Sequence, residues 1–451
     1  MYLRRKIDIE LEKWLQKENH SPALVIGIRQ CGKTKSIKEF AKKHFKYVNY
    51  INFWENSSYK DAFSTLNIDD ILKKLSFESP DFKFVPNETI IILDEIQDCS
   101  RARLSLKSFK EDGRYQVIAS GSFIGINIDS SLNSNDPKPN GAEDIIEMKT
   151  MDFEEFLWAN NYTNEQINTL LTYFTNKEKI PNLIHEKMKN LFKEYICIGG
   201  YPEVVLNFIT NKSFSDAFKK NESLIFDIKG DPSKRKDDKN NPLYTSYEIS
   251  RIQNAFDLVA SFSLNDNKRF VISKINGGNG IQKNDAINYL MNSNVVFKAY
   301  NVTVPSLPLK TSMISSQFKL FYCDIGMMTT TCGFETIKAI MKDQLGMNKG
   351  YLYESIVAES LYKANIPLYY FEKNSGLEID LVISYNCFAT LIEVKAKTGN
   401  TKSSKTVLSH PEHYGITKLI KFGDYNIGYE NDILTLPYYL AFALGKDYEN
   451  I

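Results

Sequence analysis

Several features that mark common protein classes are absent from this 451-residue sequence. Charge of one sign is not in excess, because 56 basic and 55 acidic residues leave a formal net charge of +1. Proteins that coat nucleic acid are usually strongly basic, so any nucleic-acid contact here must be local. The cysteines form no Cys-x-x-Cys pair and no cluster with histidine, so neither a zinc site nor a disulfide framework is indicated. They lie at positions 31, 99, 197, 323, 332 and 387.

Long apolar runs are also absent. The longest, from Ile433 to Leu444, is short and is broken by Pro437, which argues against a membrane span. Residues 1–15 carry charge throughout and lack the apolar stretch of a signal peptide. We therefore expect a cytoplasmic protein without a membrane partner.

What the sequence does contain, in its first third, is an alternation of short apolar runs and helical patterns. The apolar runs have the composition of buried parallel strands. Strands separated by helices imply a doubly wound sheet, so the predicted fold class is α/β with a parallel sheet. The four runs are ALVIGI (23–28), YVNYINF (47–53), TIIILDE (89–95) and YQVIASG (115–121).

Residues 27–34, Gly-Ile-Arg-Gln-Cys-Gly-Lys-Thr, fit the phosphate-binding pattern GxxxxGK[ST] without a mismatch. A predicted strand precedes them and a helix-forming stretch follows. The two glycines let the backbone curl so that its amides face phosphates at a helix N-terminus. We expect Lys33 to neutralise β- and γ-phosphate oxygens and the Thr34 hydroxyl to ligate Mg²⁺. The predicted nucleotide-binding residues of this motif are Gly27, Arg29, Gln30, Cys31, Gly32, Lys33, Thr34 and Lys35.

An acidic pair, Asp94 and Glu95, ends the run IIILDE, as the second motif of a P-loop protein should. Asp94 can hold the magnesium ion through water, and Glu95 can orient and polarise the attacking water. Ser120, at the end of the fourth run, can lie between the two motifs and sense the γ-phosphate. An ordinary Gly/Ser turn explains Ser120 equally well. The motifs together predict binding and hydrolysis of a nucleoside triphosphate, with Lys33 and Glu95 as catalytic groups.

Residues 376–395, GLEIDLVISYNCFATLIEVK, carry a second group of charged side chains. Residues two apart on a strand share a face, so Glu393 and Lys395 point the same way. Antiparallel pairing of the two strand-like runs could bring Asp380 beside them. Two carboxylates suit Mg²⁺ or Mn²⁺, and a lysine can orient water and steady a pentavalent phosphate, so such a group hydrolyses phosphodiesters. The alternative explanation is a solvent-facing strand with alternating charge.

Five segments, in this order, resemble the prokaryotic AAA-type ATPases of the archaeal-ATPase-like group: GIRQCGKT, IIILDEIQ, ASGS, MDFEEFL and IGGYPEVV. The resemblance is loose between residues 225 and 340 and close elsewhere. It implies ATP rather than GTP as the nucleotide. That group usually has a Gly-Arg pair shortly before the MDFEEFL-like segment, whereas this chain has Gly141-Ala142. We therefore name no arginine finger.

Members of that group often carry a C-terminal restriction-endonuclease-like domain, and residues 376–395 are similar to the PD-(D/E)xK nuclease core. The resemblance makes Asp380 the first acid and Glu393-Val394-Lys395 the ExK element, with Lys395 as a catalytic group. A helix before the first strand of that core often adds another acid, and Glu354 occupies that place. The resemblance thus implies a divalent-ion site of Glu354, Asp380 and Glu393, and DNA as a partner.

These patterns predict four parts. Charged residues at 229–242 indicate an exposed linker, the polar stretch 130–141 indicates a surface loop, and Gly199-Gly200-Tyr201-Pro202 indicates a break between helices. The four parts are a P-loop ATPase domain (1–155), a helical lid (156–228), a winged-helix-like or linker segment (229–345) and a restriction-endonuclease-like α/β domain (346–451).

Three functions are open at this point. The nucleotide state could gate a metal-dependent nuclease that acts on DNA. Alternatively, the chain is a nucleotide switch whose C-terminal domain only binds DNA or protein. In the third alternative, ATP or ADP controls assembly of a homo-oligomer. The cofactors expected are ATP and Mg²⁺, with Mn²⁺ as an alternative at the C-terminal site.

Overall fold

The computed structural model describes residues 1–122, 141–235, 241–263, 269–346, 349–373, 376–395 and 402–448. The contacts between residues divide the chain into two units. The surface loop predicted at 130–141 lies, except for Gly141, outside the described residues. The first unit is Met1–Thr150 with Asn292–Asn294, and the second is Met151–Met291 with Val295–Ile451.

The first unit contains a five-stranded sheet in which all strands run parallel, in the order β2-β3-β4-β1-β5. The four predicted runs form β1 to β4, so the predicted parallel α/β sheet is confirmed. The fifth strand, at the edge, was not predicted. The strands are β1 (Ala23–Gly27), β2 (Tyr47–Asn52), β3 (Thr89–Asp94), β4 (Gln116–Ser122) and β5 (Asp144–Met148).

Helices cover this sheet and explain why its central strands are apolar on both faces. Strand β3 is buried along its whole length. Its side chains Ile91 and Leu93 pack with Leu24 of β1 and with residues of the helices in one hydrophobic cluster. The described helices of this unit are α1 (Lys6–Gln16), α2 (Lys33–His44), α3 (Tyr59–Ala62), α4 (Ile68–Glu78) and α5 (Ser100–Asp112), with a 3₁₀ helix at Ile96–Asp98.

The strand order determines which loops meet. Strand β4 lies between β1 and β3, with Gly27 opposite Ser122 and Leu93 opposite Ala119. Because the strands are parallel, the loops that follow β1, β3 and β4 emerge at the same edge of the sheet. The phosphate-binding motif and the acidic pair are therefore brought together.

The second unit combines helices with a mixed eight-stranded sheet in the order β12-β13-β11-β10-β9-β8-β6-β7. The stretch predicted as a helical lid is helical, since α6 to α10 occupy it. The strands are β6 (Val296–Val302), β7 (Met313–Tyr322), β8 (Tyr369–Glu372), β9 (Glu378–Tyr385), β10 (Phe388–Lys395), β11 (Lys418–Gly423), β12 (Gly428–Glu430) and β13 (Ile433–Pro437). The described helices are α6 (Phe153–Ala159), α7 (Asn164–Asn176), α8 (Asn182–Ile198), α9 (Pro202–Asn211), α10 (Phe214–Lys234), α11 (Ser246–Ser263), α12 (Gly280–Asn292), α13 (Ile325–Thr331), α14 (Phe334–Met341), α15 (Lys349–Lys363), α16 (Lys402–Leu408), α17 (Pro411–Tyr414) and α18 (Ala443–Tyr448).

The separate winged-helix-like segment predicted at 229–345 is wrong. Its two strands, β6 and β7, belong to the same sheet as the C-terminal strands, because β6 pairs in parallel with β8. The exposed linker predicted from residue 229 is also wrong for its first residues. Helix α10 continues to Lys234, and Asp231 within it is buried and bonded to Arg235 and Tyr289.

No helix within the described ranges is both long and apolar enough to cross a lipid bilayer.

The predicted break at Gly199-Gly200 separates α8 from α9 and also makes a close backbone contact. Gly199 has a φ of 76°, which favours glycine. The Met151 amide donates to the Gly200 carbonyl at 2.7 Å, and the Gly200 amide donates to Asp324 Oδ2 at 2.9 Å. A β-carbon on Gly200 would lie 1.9 Å from the Met151 carbonyl oxygen. No side chain fits at this position without moving backbone.

We expect Gly200→Ala to lower the free energy of unfolding by about 3 kcal/mol, because the added methyl group overlaps backbone that cannot rotate away. Urea denaturation measures the loss. The matched control is Gly230→Ala in α10, where an added β-carbon meets no heavy atom within 4 Å. That helical exchange should stabilise by about 0.5–1 kcal/mol. Equal effects of the two exchanges would contradict the close contact.

Candidate functional site

The loop between β1 and α2 has the backbone that a phosphate-binding loop requires. Gln30 and Gly32 have φ values of 62° and 100°, so the chain curls before α2 begins. A β-carbon on Gly27 would lie 2.1 Å from the Met148 carbonyl oxygen at the end of β5. Glycine is therefore needed at 27 for close approach of two strands. The curl directs the loop towards the N-terminus of α2, where amides attract anions.

The polar side chains of this loop have defined positions. The Lys33 ammonium is buried and donates to the carbonyl oxygens of Gly27 and Ile28, both at 3.0 Å. Cys31 is buried, whereas the predicted contact residues Arg29, Gln30 and Lys35 are exposed, with Gly32 partly exposed between them.

The Asp94 carboxylate is the centre of the site. It is buried at the end of β3 and accepts hydrogen bonds from three hydroxyl groups. Thr34 Oγ1 donates to Asp94 Oδ2 at 2.8 Å, Tyr50 Oη donates to the same oxygen at 2.7 Å, and Ser120 Oγ donates to Asp94 Oδ1. Thr34, Asp94 and Ser120, predicted as neighbours, are therefore in contact. The hydroxyl and carboxylate oxygens of Thr34 and Asp94 are the hard donors that Mg²⁺ prefers.

Glu95 is placed at the edge of this cluster by its backbone. Its φ of 53° lies in the left-handed region and turns the chain away from the strand into the 3₁₀ helix. Its amide donates to Asp94 Oδ1 at 3.1 Å, and its carboxylate accepts a hydrogen bond from Gln97 Nε2. The side chain is only partly buried. A left-handed conformation at a non-glycine residue is costly and is concentrated at functional sites.

Tyr50 is a site residue that the sequence analysis missed. It lies on β2, whose register places Asn52 opposite Asp94, and Asn52 Nδ2 donates to the Tyr50 hydroxyl at 3.0 Å. Burial raises the pKa of Tyr50 above its ordinary value, and its bond to Asp94 adds to this. The hydroxyl therefore remains a donor to Asp94. The sequence signal for Tyr50 is that it and Asn52 are polar residues two apart near the end of a predicted strand.

A second site forms where β9 and β10 pair antiparallel, with Leu381 opposite Ile392. This pairing brings Asp380, Glu393 and Lys395 together, as the spacing predicted. Lys395 Nζ forms an ion pair with Glu393 and lies 3.9 Å from Asp380 Oδ2. Burial, and then the Asp380 charge, raise the pKa of Glu393, whereas Lys395 lowers it. Two carboxylates and a lysine thus share one partly buried location.

Glu354 does not complete a three-acid metal site. It is buried on α15, and its Oε1 lies 2.9 Å from Nζ of Lys319 on β7, a residue that the sequence analysis missed. Lys319 also donates to the main-chain oxygen of Asp380 at 3.2 Å. In the part of the chain that the structure describes, no three Asp, Glu, His or Cys side chains are placed to hold a metal ion. The predicted set of Glu354, Asp380 and Glu393 is therefore corrected to the pair Asp380 and Glu393.

Comparisons with known families divide the chain into three matched ranges. Residues 19–157 match a family model described as AAA domain. Residues 189–338 match a domain of unknown function (DUF8612), and residues 349–439 match another (DUF4143). No curated protein matches the chain.

Several solved structures are similar to this chain at low identity. The Walker-type ATPase PABY2304 of Pyrococcus abyssi is 14% identical, with 73% of this chain and 96% of that chain covered and a TM-score of 0.42. AMPPCP-bound DnaA from Aquifex aeolicus is 11% identical, with 64% and 89% covered and a TM-score of 0.29. Orc1 of Aeropyrum pernix, in complex with DNA, is 10% identical, with 76% and 93% covered and a TM-score of 0.24. With TM-scores below 0.5, these likenesses carry no further conclusion.

The family match and the geometry agree on the same part of the chain. The match at 19–157 includes the curled loop after β1, the five parallel strands and the Asp94 cluster. The family match and the fold of residues 19–157 therefore both support an AAA-type P-loop ATPase domain.

Proposed function

We propose that the first unit hydrolyses ATP with Asp94, Glu95, Lys33 and Thr34 as its working groups. The observation that carries the proposal is the Asp94 carboxylate, which joins the P-loop hydroxyl of Thr34 to Ser120 on the intervening strand. This contact fixes the end of β3 against the phosphate-binding loop. The reacting groups are thus held in place before substrate binds. Such positioning supplies much of the rate enhancement of phosphoryl transfer.

Each of these residues has a distinct role. Lys33 places its charge at the β- and γ-phosphates, and Thr34 and Asp94 are the groups that would hold Mg²⁺, which neutralises phosphate charge when bound. Glu95 orients the attacking water and accepts its proton. Ser120 lies beside Asp94, at the position from which a hydroxyl can report on the γ-phosphate.

Release of phosphate from ATP by the purified protein tests this proposal. It should require Mg²⁺ and stop when EDTA is added, because Thr34 and Asp94 are oxygen donors suited to a hard cation. Equal release after chelation would contradict the metal-holding role of this pair.

For the C-terminal part, the proposal is a divalent-ion-dependent phosphodiester site on DNA, built from Asp380, Glu393 and Lys395. The element order supports a restriction-endonuclease-like domain: α15, then β8, β9 and β10 in antiparallel succession, then a helical crossover to β11 parallel to β10. Asp380 and Glu393 are the ion-holding pair. Lys395 would stabilise the charge that develops on the phosphate.

Further lysines beside this pair suit an anionic substrate. In register, Lys421 of β11 lies opposite Glu393 of β10. Burial, and then the charge of Lys405 on α16, lower the pKa of Lys421; Glu393 opposes them, and Lys395 lowers it further. Three lysine charges therefore lie near one another. This is the local basic cluster that phosphate contact needs in a chain of near-zero net charge.

The alternative is a nucleotide switch whose C-terminal domain binds DNA or protein without chemistry. Supercoiled plasmid incubated with the purified protein and Mn²⁺, with and without ATP, separates the two. Nicked or linear plasmid supports the nuclease, and a dependence on ATP would show that the two sites are coupled. Plasmid that is retarded on a gel but stays supercoiled supports the switch.

A further inference from the structure

Residues 1–8 precede the matched range 19–157 and contact the phosphate-binding loop directly. The Arg5 side chain is 3% exposed, although it carries a permanent charge. Its Nη1 donates to the Cys31 carbonyl oxygen at 2.7 Å, and its Nη2 donates to the Lys149 carbonyl oxygen at 2.6 Å. A buried guanidinium with two short bonds to separate main-chain segments holds them in a fixed relation.

The Cys31 carbonyl is important because it shares a peptide bond with the Gly32 amide. In a trans peptide the carbonyl and the following amide point in opposite directions. The bond from Arg5 to the Cys31 oxygen therefore sets the direction of the Gly32 amide. Gly32 has a φ of 100° and lies directly before α2, among the amides that a P-loop directs at phosphate. Arg5 is therefore coupled to the Gly32 amide through this peptide plane.

Two more contacts join the same segment to the first turn of α2. The Tyr2 hydroxyl donates to Asp8 Oδ1 and accepts from the Ser36 hydroxyl at 2.9 Å, and Lys35 Nζ donates to the Met1 carbonyl oxygen at 2.6 Å. The Asp8 carboxylate in turn accepts a hydrogen bond from the main-chain amide of Arg5, with Oδ2 and N 2.9 Å apart. Residues 1–8 thus support the loop and the helix turn that present Lys33 and Thr34.

The second partner of Arg5 extends this support to β5. Lys149 directly follows Met148, whose carbonyl oxygen approaches Gly27 and lies 3.5 Å from Cys31 Sγ. The end of β5 and the P-loop are therefore in contact, and Arg5 bonds to both. Loss of Arg5 would free both carbonyls from a fixed donor and let the Cys31–Gly32 peptide rotate.

We propose that Arg5 is a positioning residue of the nucleotide site, which holds the Gly32 amide in its phosphate-binding direction. The proposal rests on nucleotide binding by the P-loop. The test is the Kd for ATP with Mg²⁺, measured by titration well below the melting temperature of each variant. Arg5→Gln should raise Kd about tenfold, because one oriented amide is lost to the phosphates.

Two comparisons separate this role from a structural one. Arg5→Lys keeps the charge and one donor direction, so its Kd should lie between the wild-type and Arg5→Gln values. Lys13→Gln removes an exposed cation of α1 that pairs with Glu10 at the surface, and should leave Kd unchanged. A purely structural arginine would lower the melting temperature in both Arg5 variants without changing the Kd of the folded protein.

The outcomes are distinct. A wild-type Kd in folded Arg5→Gln would overturn the role of Arg5 alone, whereas failure of the wild-type protein to bind ATP would contradict the nucleotide site itself. If Arg5→Gln does not fold, Tyr2→Phe removes the hydroxyl that bonds both Asp8 and Ser36 and should raise Kd about threefold. Wild-type affinity in both Tyr2→Phe and Arg5→Lys would equally overturn the proposal.

Discussion

The Glu95→Gln variant should bind ATP as tightly as the wild-type protein and hydrolyse it roughly 10²- to 10⁴-fold more slowly, the usual contribution of a general base. The exchange keeps size and hydrogen bonding, so the contact with Gln97 and the turn after β3 remain. Only the ability to take a proton from water is removed. Phosphate release under saturating ATP, together with the Kd for ATP, measures the two quantities separately.

The matched control for this prediction is Glu88→Gln at the opposite end of the same strand. Glu88 is partly exposed and forms an ion pair with the exposed Lys46 at 3.0 Å, so its exchange should change neither binding nor turnover. Unchanged turnover in Glu95→Gln would remove Glu95 from the mechanism. The Asp94 cluster would then still hold the loop, but the general base would not be Glu95.

The second large effect is expected from Lys395→Ala, which should abolish cutting of supercoiled plasmid with Mn²⁺, a loss of at least about 10²-fold. The lysine charge has two functions in the structure. It lies beside the acidic pair, where negative charge would develop on a phosphate. It also lowers the pKa of Glu393 against burial and the Asp380 charge, and so keeps that carboxylate available to a cation.

The pH dependence of the variant distinguishes these functions. Without Lys395, the pKa of Glu393 rises further, so the carboxyl holds its proton to higher pH and divalent-ion binding weakens. Cutting that returns as pH increases would mean that Lys395 acts through Glu393. Cutting that stays absent at every pH would mean that the lysine acts on the phosphate.

Lys418→Ala is the control for this experiment. Lys418 lies on the neighbouring strand β11, opposite Thr390 rather than Glu393, and pairs with Asp432 at the surface. Its loss should leave cutting intact. If plasmid is cut equally by Lys395→Ala and by the wild-type protein, the activity does not come from this site.

Local patterns predicted the nucleotide site well because its parts are contiguous in sequence or follow buried strands. Residues 27–34 and the pair Asp94-Glu95 follow strands that run parallel and lie close together in the sheet, so the two motifs meet at one edge. The second site was predicted for a similar reason. Its two strands are joined by a two-residue turn at Asn386 and Cys387, both with positive φ, which fixes their antiparallel register.

What could not be predicted depends on contacts between distant parts of the chain. Strand β6 pairs with β8 across about seventy residues, and no local signal shows which sheet a strand joins. Lys319 of β7 reaches Glu354 for the same reason, so the resemblance that placed Glu354 in a metal site gave no sign of its lysine partner. For Tyr50 the sequence predicts only a place in the buried strand 47–53. Its partner Asp94 lies on a neighbouring strand, so no local pattern indicates the contact.

The parallel pairing of β6 with β8 also limits how this chain can be divided. Tyr300 lies opposite Tyr369, and the Asn301 side chain bonds to the main chain of Glu372 at 3.0 and 3.2 Å. A fragment that begins at residue 346 would leave this edge of β8 open, and open edges recruit strands from other molecules. We expect such a fragment to aggregate more readily than the intact chain, because β6 no longer covers this edge of β8.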